Sequence, residues 1–158
     1  MSKDVYKLVH DTRNDIVFGI APEGNVENNY NKNYADVDTW LKEEGYVDYI
    51  MPQIYYGFQN SKKPYADVLN EWNLKIVNKN IKLIPALAFY KTGEYDEYAG
   101  TGNTEWQTFY NIIQNQIIFA REMTNYGGFS LFRYGSLYDV KSEIREREYQ
   151  NFLKTLKF

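Results

Sequence analysis

The sequence holds no cysteine. Disulfide bridges and thiolate chemistry are therefore excluded, although compartment is not, since many exported proteins also lack the residue. It has a single histidine, His10, and nowhere do His, Asp and Glu cluster at metal-ligand spacing, so no metal is expected. No glycine-rich loop follows a strand-like run in phosphate-binding form, which argues against a nucleotide or other cofactor. Basic residues are scattered: 18 Lys and Arg against 21 Asp and Glu leave a net charge of −3. Without a basic stripe, nucleic acid is not an expected partner. No apolar run approaches the roughly 18 residues of a membrane span, and Met1-Ser2-Lys3-Asp4 lacks a signal-peptide core. Low-complexity tracts, linkers and internal repeats are also missing, so residues 1–158 read as one domain with a sizeable core.

Aromatic residues, by contrast, are abundant. They make up 18% of the chain, with 16 tyrosines, and a ligand-stacking surface is one reason for such an excess. The segment 48–58 is the most informative. Apolar residues around Pro52 suit a buried strand, and Gln53, Tyr55 and Tyr56 arrive where that strand should end.

Short apolar runs at 16–21, 49–55, 81–89 and 128–134 read as buried parallel strands covered on both faces. Pro52 and Pro85 remove ladder donors and point to local bulges. Helical patterns lie between the runs. Asn33 is placed to cap a helix carrying Val37, Trp40 and Leu41, with Gly45 as its stop. Pro64 suits the first position of a helix with Tyr65, Val68, Leu69, Trp72 and Ile76 on one face. A third and longest helix, capped by Asn103 or Thr104, carries Trp106, Phe109, Ile113, Ile117 and Ala120. A final helix holds Tyr149, Phe152, Leu153 and Leu156, and a first, before any strand, holds Val5, Leu8 and Val9. His10 on that first helix reads as a surface or packing residue.

Strands starting roughly 30 to 45 residues apart fit βαβ units and a parallel sheet. The long, chemically alike loops after the strands suggest the catalytic face of a (β/α)8 TIM-type barrel, which needs about 250 residues; four units make half of one. The expected fold is thus α/β, the C-terminal half of such a barrel. An open, self-contained α/β domain is the alternative.

Set in order, Phe18-Gly19-Ile20-Ala21-Pro22, Tyr34-Ala35-Asp36 with Trp40, the 48–56 run, Ala88-Phe89-Tyr90-Lys91-Thr92-Gly93, and Gly128-Phe129 leading to Tyr134-Gly135-Ser136-Leu137 resemble the glycosyl hydrolase-like 10 family. The resemblance maps to the last four strands of that family's barrel. It implies a bacterial, extracellular or cell-envelope protein acting on glycans, with cell-wall strands as a substrate. An acidic Asp-x-x-Arg motif that would follow the fourth strand has no counterpart here. Glu23 stands where the resemblance suggests an aromatic, and Arg133 where it suggests a small residue.

Glycoside hydrolysis commonly needs two carboxyl groups astride the scissile bond. The acids near strand ends are Glu23, Glu27, Glu94, Asp96, Glu97 and Asp139, most of them expected to be solvated loop charges; Glu23, held between Pro22 and Gly24, is the catalytic candidate. Gln53, Tyr55 and Tyr56 suit a sugar, which offers hydroxyls to amide and phenol groups and C–H faces to rings. Gln53 and Tyr55 share a strand face. Tyr90 and Tyr134 occupy equivalent positions on their own strands. Lys91 is either a surface amine or a positive contact to a sugar. Arg133, inside an apolar run, is expected to point into the barrel mouth and pair with Glu23 or another acid. Asn25, Asn28, Asn29 and Asn31 read as turn formers. At least one essential carboxylate would have to come from elsewhere, from a homo-oligomer or from the upstream half of the same barrel. The rival reading is a non-catalytic carbohydrate-binding or scaffold module.

Overall fold

The computed structural model describes residues 2–138 and 142–156; Asp139 lies outside the described residues. In chain order the elements are α1 (Ser2–Thr12), β1 (Gly19–Ile20), α2 (Val26–Asn31), α3 (Val37–Lys42), β2 (Tyr49–Ile50), α4 (Tyr65–Lys75), β3 (Lys82–Leu83), β4 (Ala86–Leu87), α5 (Glu105–Thr108), α6 (Ile112–Arg121), β5 (Ser130–Leu131), α7 (Tyr134–Tyr138) and α8 (Glu143–Thr155). Strands alternate with helices and every strand pair is parallel, an α/β architecture.

The ladder runs in chain order. β1, β2 and β3 form one sheet, β4 and β5 a second, and parallel bridges from Gln53 to Ala86 and from Leu83 to Tyr126 join them. The expected third strand is thus split, and Pro85 is the reason. In a parallel ladder successive residues bond to alternate neighbours. The Ile84 and Ala86 N–H groups reach back to Ile50 and Pro52 carbonyls at 2.9 Å, so position 85 should donate toward the fourth run. Proline has no N–H to give there, though its carbonyl still accepts from Ser130 at 3.0 Å. Pro52 shortens β2 in the same way.

Burial alternates along these runs as far as Pro85, after which residues 86–89 are all buried. Ile50, Pro52 and Ile54 are sealed, as are Leu83, Pro85 and Leu87, and they pack with Leu41, Leu69, Trp72, Trp106, Ile113 and Ile117 of the helices. The intervening Tyr49, Met51 and Ile84 are half-buried, and Gln53 and Lys82 exposed. Helices therefore cover one face of the ladder, α3 against α4, α4 against α6 and α6 against α8. The second face is covered at Ala86 and Ala88 and only partly elsewhere, so the expectation of strands covered on both faces holds in full for β4 alone.

Several helix boundaries also differ from the sequence reading. Asp36, not Asn33, caps α3, its carboxylate accepting from the Thr39 amide at 3.1 Å and the Thr39 hydroxyl at 2.7 Å. The asparagine run is not all turn: Asn25 caps α2, accepting from the Glu27 amide at 3.2 Å. Pro64 sits one residue before α4, at its cap. The long third helix is broken into α5 and α6 because Phe109 is extended and the first amides of α6 turn to a side chain of α8. The fourth strand run ends early, and Tyr134 begins α7. Helix α1 buries none of its residues; it is tethered through Tyr6 and His10, which contact the two Asp48 carboxylate oxygens at 3.2 and 3.0 Å. No helix among the described residues is long and apolar enough to cross a membrane.

Candidate functional site

Glu23 follows β1 and is fixed by the helix that comes after it. Its backbone N–H donates to Asn29 Oδ1 at 3.1 Å, and Asn29 Nδ2 returns a bond to the Glu23 carbonyl at 2.6 Å. The carboxylate takes the amides of Asn28, at 2.6 Å to Oε1, and Asn33, at 3.3 Å to Oε2. Trp72, sealed in α4, steadies the next residue by donating its indole N–H to the Gly24 carbonyl at 2.8 Å. The asparagines after β1 thus build a cradle for one acid.

Past β2, Gln53 bridges the Glu23 and Ala86 positions in the ladder and donates its side-chain amide to the Ala21 carbonyl at 3.1 Å. Its neighbour by parity, Tyr55, packs edge-on against Tyr90 at 6.0 Å and with its ring tilted 31° to that of Phe132 at 5.7 Å. Tyr56 is half-buried, and Gln116 of α6 donates to its carbonyl at 2.8 Å. Burial, with Glu23 and Asp96 nearby, raises the Tyr56 phenol above its ordinary value. Glu105 then clamps the continuing loop, accepting from the Phe58 and Gln59 amides at 2.9 Å each. Its carboxylate lies so close to Gly57 that any Cβ there would overlap it. Burial raises the Glu105 pKa, against the pull of those two amides.

The third wall comes from the loop after β4. Lys91 and Asp96 form an ion pair at 2.7 Å; Asp96 is almost sealed and also accepts the Tyr98 amide at 3.2 Å. Gly93 turns the chain between them with φ at +84°, a conformation that side-chain-bearing residues rarely adopt. From α8, Arg145 supports the loop from beneath, donating to the carbonyls of Tyr90 at 3.1 Å and Thr92 at 3.0 Å and to Glu94 at 3.3 Å.

These walls enclose a cavity of about 260 Å³ lined by Glu23, Gln53, Tyr55, Tyr56, Asn60, Lys91, Asp96 and Tyr98. Five residues singled out from sequence meet there: Glu23, Gln53, Tyr55, Tyr56 and Lys91. Tyr90 backs the cavity through Tyr55. Tyr134 and Arg133 do not line it. Arg133 is exposed rather than buried in a strand, and it makes no ion pair among the described residues. The expected pairing with Glu23 is corrected, because asparagines occupy that carboxylate. Asp96, read as a solvated loop charge, is instead buried beside Lys91. Asn60 and Tyr98 were missed; the turn-rich Gly57-Phe58-Gln59-Asn60 after a strand was the available signal for the first, and nothing local marked the second.

A larger cavity, about 580 Å³, lies on the α5–α6 side among Phe58, Phe109, Ile112, Ile118 and Phe119. It is mainly apolar and its acids are Glu122 and the loop-clamping Glu105, so it lacks the paired polar walls of the smaller one. No group of three or more His, Asp or Glu among the described residues is placed to hold a metal.

The sequence pattern of the family described as glycosyl hydrolase-like 10 matches residues 2–100, well over half of the chain. The chain belongs to that family. The match includes every residue lining the smaller cavity and stops short of Arg133 and Tyr134. Among curated proteins, the chain is similar to glycosyl hydrolase DigH of Escherichia coli O6:H1, with 34% identity over 105 residues, 57% of this chain and 24% of the relative. It is 36% identical to DigH of Escherichia coli K12 over 94 residues, 50% of this chain and 21% of the relative. Glycosyl hydrolase YngK of Bacillus subtilis is 28% identical over 104 residues, 56% of this chain and 20% of the relative. The matched segments thus span between a fifth and a quarter of these relatives. A glycoside hydrolase-like domain is what both the family and the relatives' names support.

Proposed function

We propose that the chain binds a polysaccharide, such as a cell-wall glycan, in the 260 Å³ cavity, and that it forms part of a barrel hydrolysing glycosidic bonds. One observation carries the reading: an acid, a buried ion pair, two amides and three phenols converge at the ends of parallel strands, where ligands of α/β folds are held. Amides and phenols meet sugar hydroxyls, and the Tyr55 and Tyr98 rings offer faces for C–H groups.

The acids divide the chemistry. Both Glu23 oxygens accept from amides, an arrangement that holds the carboxyl group in place to face a developing cation. Asp96 is committed to Lys91. Protonating the leaving oxygen then falls to a carboxyl group outside these residues. The partly exposed second face of the sheet and the edge strands β1 and β5 favour a half-barrel completed by upstream β/α units or by a second copy of the chain.

The test combines calorimetric titration of soluble cell-wall glycan fragments with a reducing-end assay. Binding by the chain alone, with turnover only when the upstream half is supplied and lost in Glu23→Gln, is the expected result. Failure of any fragment to bind overturns it. The locked state of both acids favours a second reading, a non-catalytic carbohydrate-binding module. Binding without turnover, even with the upstream half present, would select that reading.

A further inference from the structure

Beyond the cavity, the described residues hold a run of rings that the core does not use. Tyr134 is 77% and Tyr138 63% exposed, and their centroids lie 4.8 Å apart on α7. Spaced four apart in sequence, they share one face of the helix. This pair lies on a helix that adjoins the cavity wall in the chain and packs against it. Tyr55, Tyr90 and Phe132 contact one another at 5.7 to 6.0 Å, and Phe132 precedes Tyr134 by two residues. Helix α7 also packs against the 3₁₀ turn Phe89–Lys91, which carries Tyr90 and Lys91.

At about 260 Å³ the cavity falls below the roughly 300 to 1,000 Å³ of pockets that take a whole drug-sized ligand, so it holds only a short part of a saccharide chain. A chain leaving it on the Tyr55 side meets Phe132, whose ring touches Tyr55, and α7 begins two residues further on. Exposed tyrosine rings bury apolar area at small entropic cost when a ligand with C–H faces lies on them, because they have only two side-chain torsions.

We infer that Tyr134 and Tyr138, with Phe132 at their edge, form a second saccharide subsite that holds a sugar ring of the chain whose neighbour occupies the cavity. This rests on the cavity being a saccharide site, so the experiment separates the two. Affinities of a disaccharide and of a hexasaccharide cell-wall fragment are measured by calorimetry for the wild type, Tyr134→Ala, Tyr138→Ala and Gln53→Ala. Circular dichroism checks that the variants fold, which their exposed sites allow.

Tyr134→Ala and Tyr138→Ala should each weaken hexasaccharide binding about ten-fold, the size of one ring contact, and leave the disaccharide unchanged. Gln53→Ala should weaken both ligands. Unchanged hexasaccharide affinity in the tyrosine variants overturns the subsite while leaving the cavity reading intact, and so does an equal loss for both ligands. If neither fragment binds the wild type, the cavity reading falls and the subsite with it. Self-association that Tyr134→Ala abolishes, with saccharide binding untouched, would reassign the rings to a protein contact and overturn the subsite.

Discussion

Lys91 Nζ lies 2.7 Å from Asp96 Oδ2, and both line the cavity together with Glu23. The Asp96 side chain keeps 4% of its surface and Lys91 18%, so water screens this pair poorly. Removing the cation strands a buried anion, which in comparable sites costs about 3 to 5 kcal/mol. Lys91→Met should therefore lower stability by about 3 kcal/mol in urea unfolding. A loss below about 1 kcal/mol would put the pair in the class of solvated surface bridges.

Gly57 faces the Glu105 carboxylate, which holds the Phe58 and Gln59 amides. A methyl group at this position must push either the loop or the acid aside. Overpacking of this kind costs about 1 to 3 kcal/mol. Gly57→Ala should show that loss in thermal unfolding and also weaken saccharide binding, since the same loop bears Tyr55, Tyr56 and Asn60. An unchanged melting curve would mean that the loop is not held as described.

Arg145 should act as a positioning residue for the cavity without touching a ligand. Its forked guanidinium serves the Tyr90 and Thr92 carbonyls together with Glu94, a geometry a lysine ammonium does not reproduce. Arg145→Lys should speed amide hydrogen exchange across residues 93–96 and leave the far side of the sheet, around Asp48, unchanged. Equal acceleration at both places would indicate global destabilisation instead.

Glu148 of α8 accepts from the first amides of α6, Ile112 at 2.8 Å and Ile113 at 3.0 Å. Burial pushes its carboxyl up to about 7 despite the amides, which favour the anion. The folded protein then holds this proton more tightly than the unfolded chain. Its stabilising contribution is full below about pH 4.5 and is lost as pH rises through about 7. At roughly 1.4 kcal/mol per unit the effect is a few kcal/mol at most. Urea midpoints should fall between pH 5 and 8 in the wild type and vary less in Glu148→Gln. A flat wild-type profile would contradict the assignment.

Much of the site was legible because it depends on strand parity and on where an apolar run stops. Gln53 and Tyr55 follow directly from alternation after Ile50, and Glu23 from its place behind Pro22. Pro52 and Pro85 were visible as ladder defects, although only the paired run shows which neighbour each fails. Features fixed by distant partners could not be read. Asp96 has the sequence surroundings of a loop charge and becomes a buried one only because Gly93 folds it back onto Lys91. The stripe through Phe109 has helical period, yet Glu148, far along the chain, takes the α6 amides and the helix breaks there. Arg133 was misjudged because the apolar run hid the end of β5 at Leu131.

The central claim is that a saccharide occupies the cavity between Glu23 and the Lys91–Asp96 pair. Titration of a soluble cell-wall glycan fragment into isotopically labelled protein, followed by backbone and side-chain amide chemical shifts, tests it most directly. Saturable shifts should concentrate at Gln53, Tyr55, Tyr56, Asn60 and the 91–98 loop, and vanish in a Gln53→Ala, Tyr55→Ala double variant that still folds. Shifts confined to the α5–α6 groove, or none at millimolar fragment, would contradict the account.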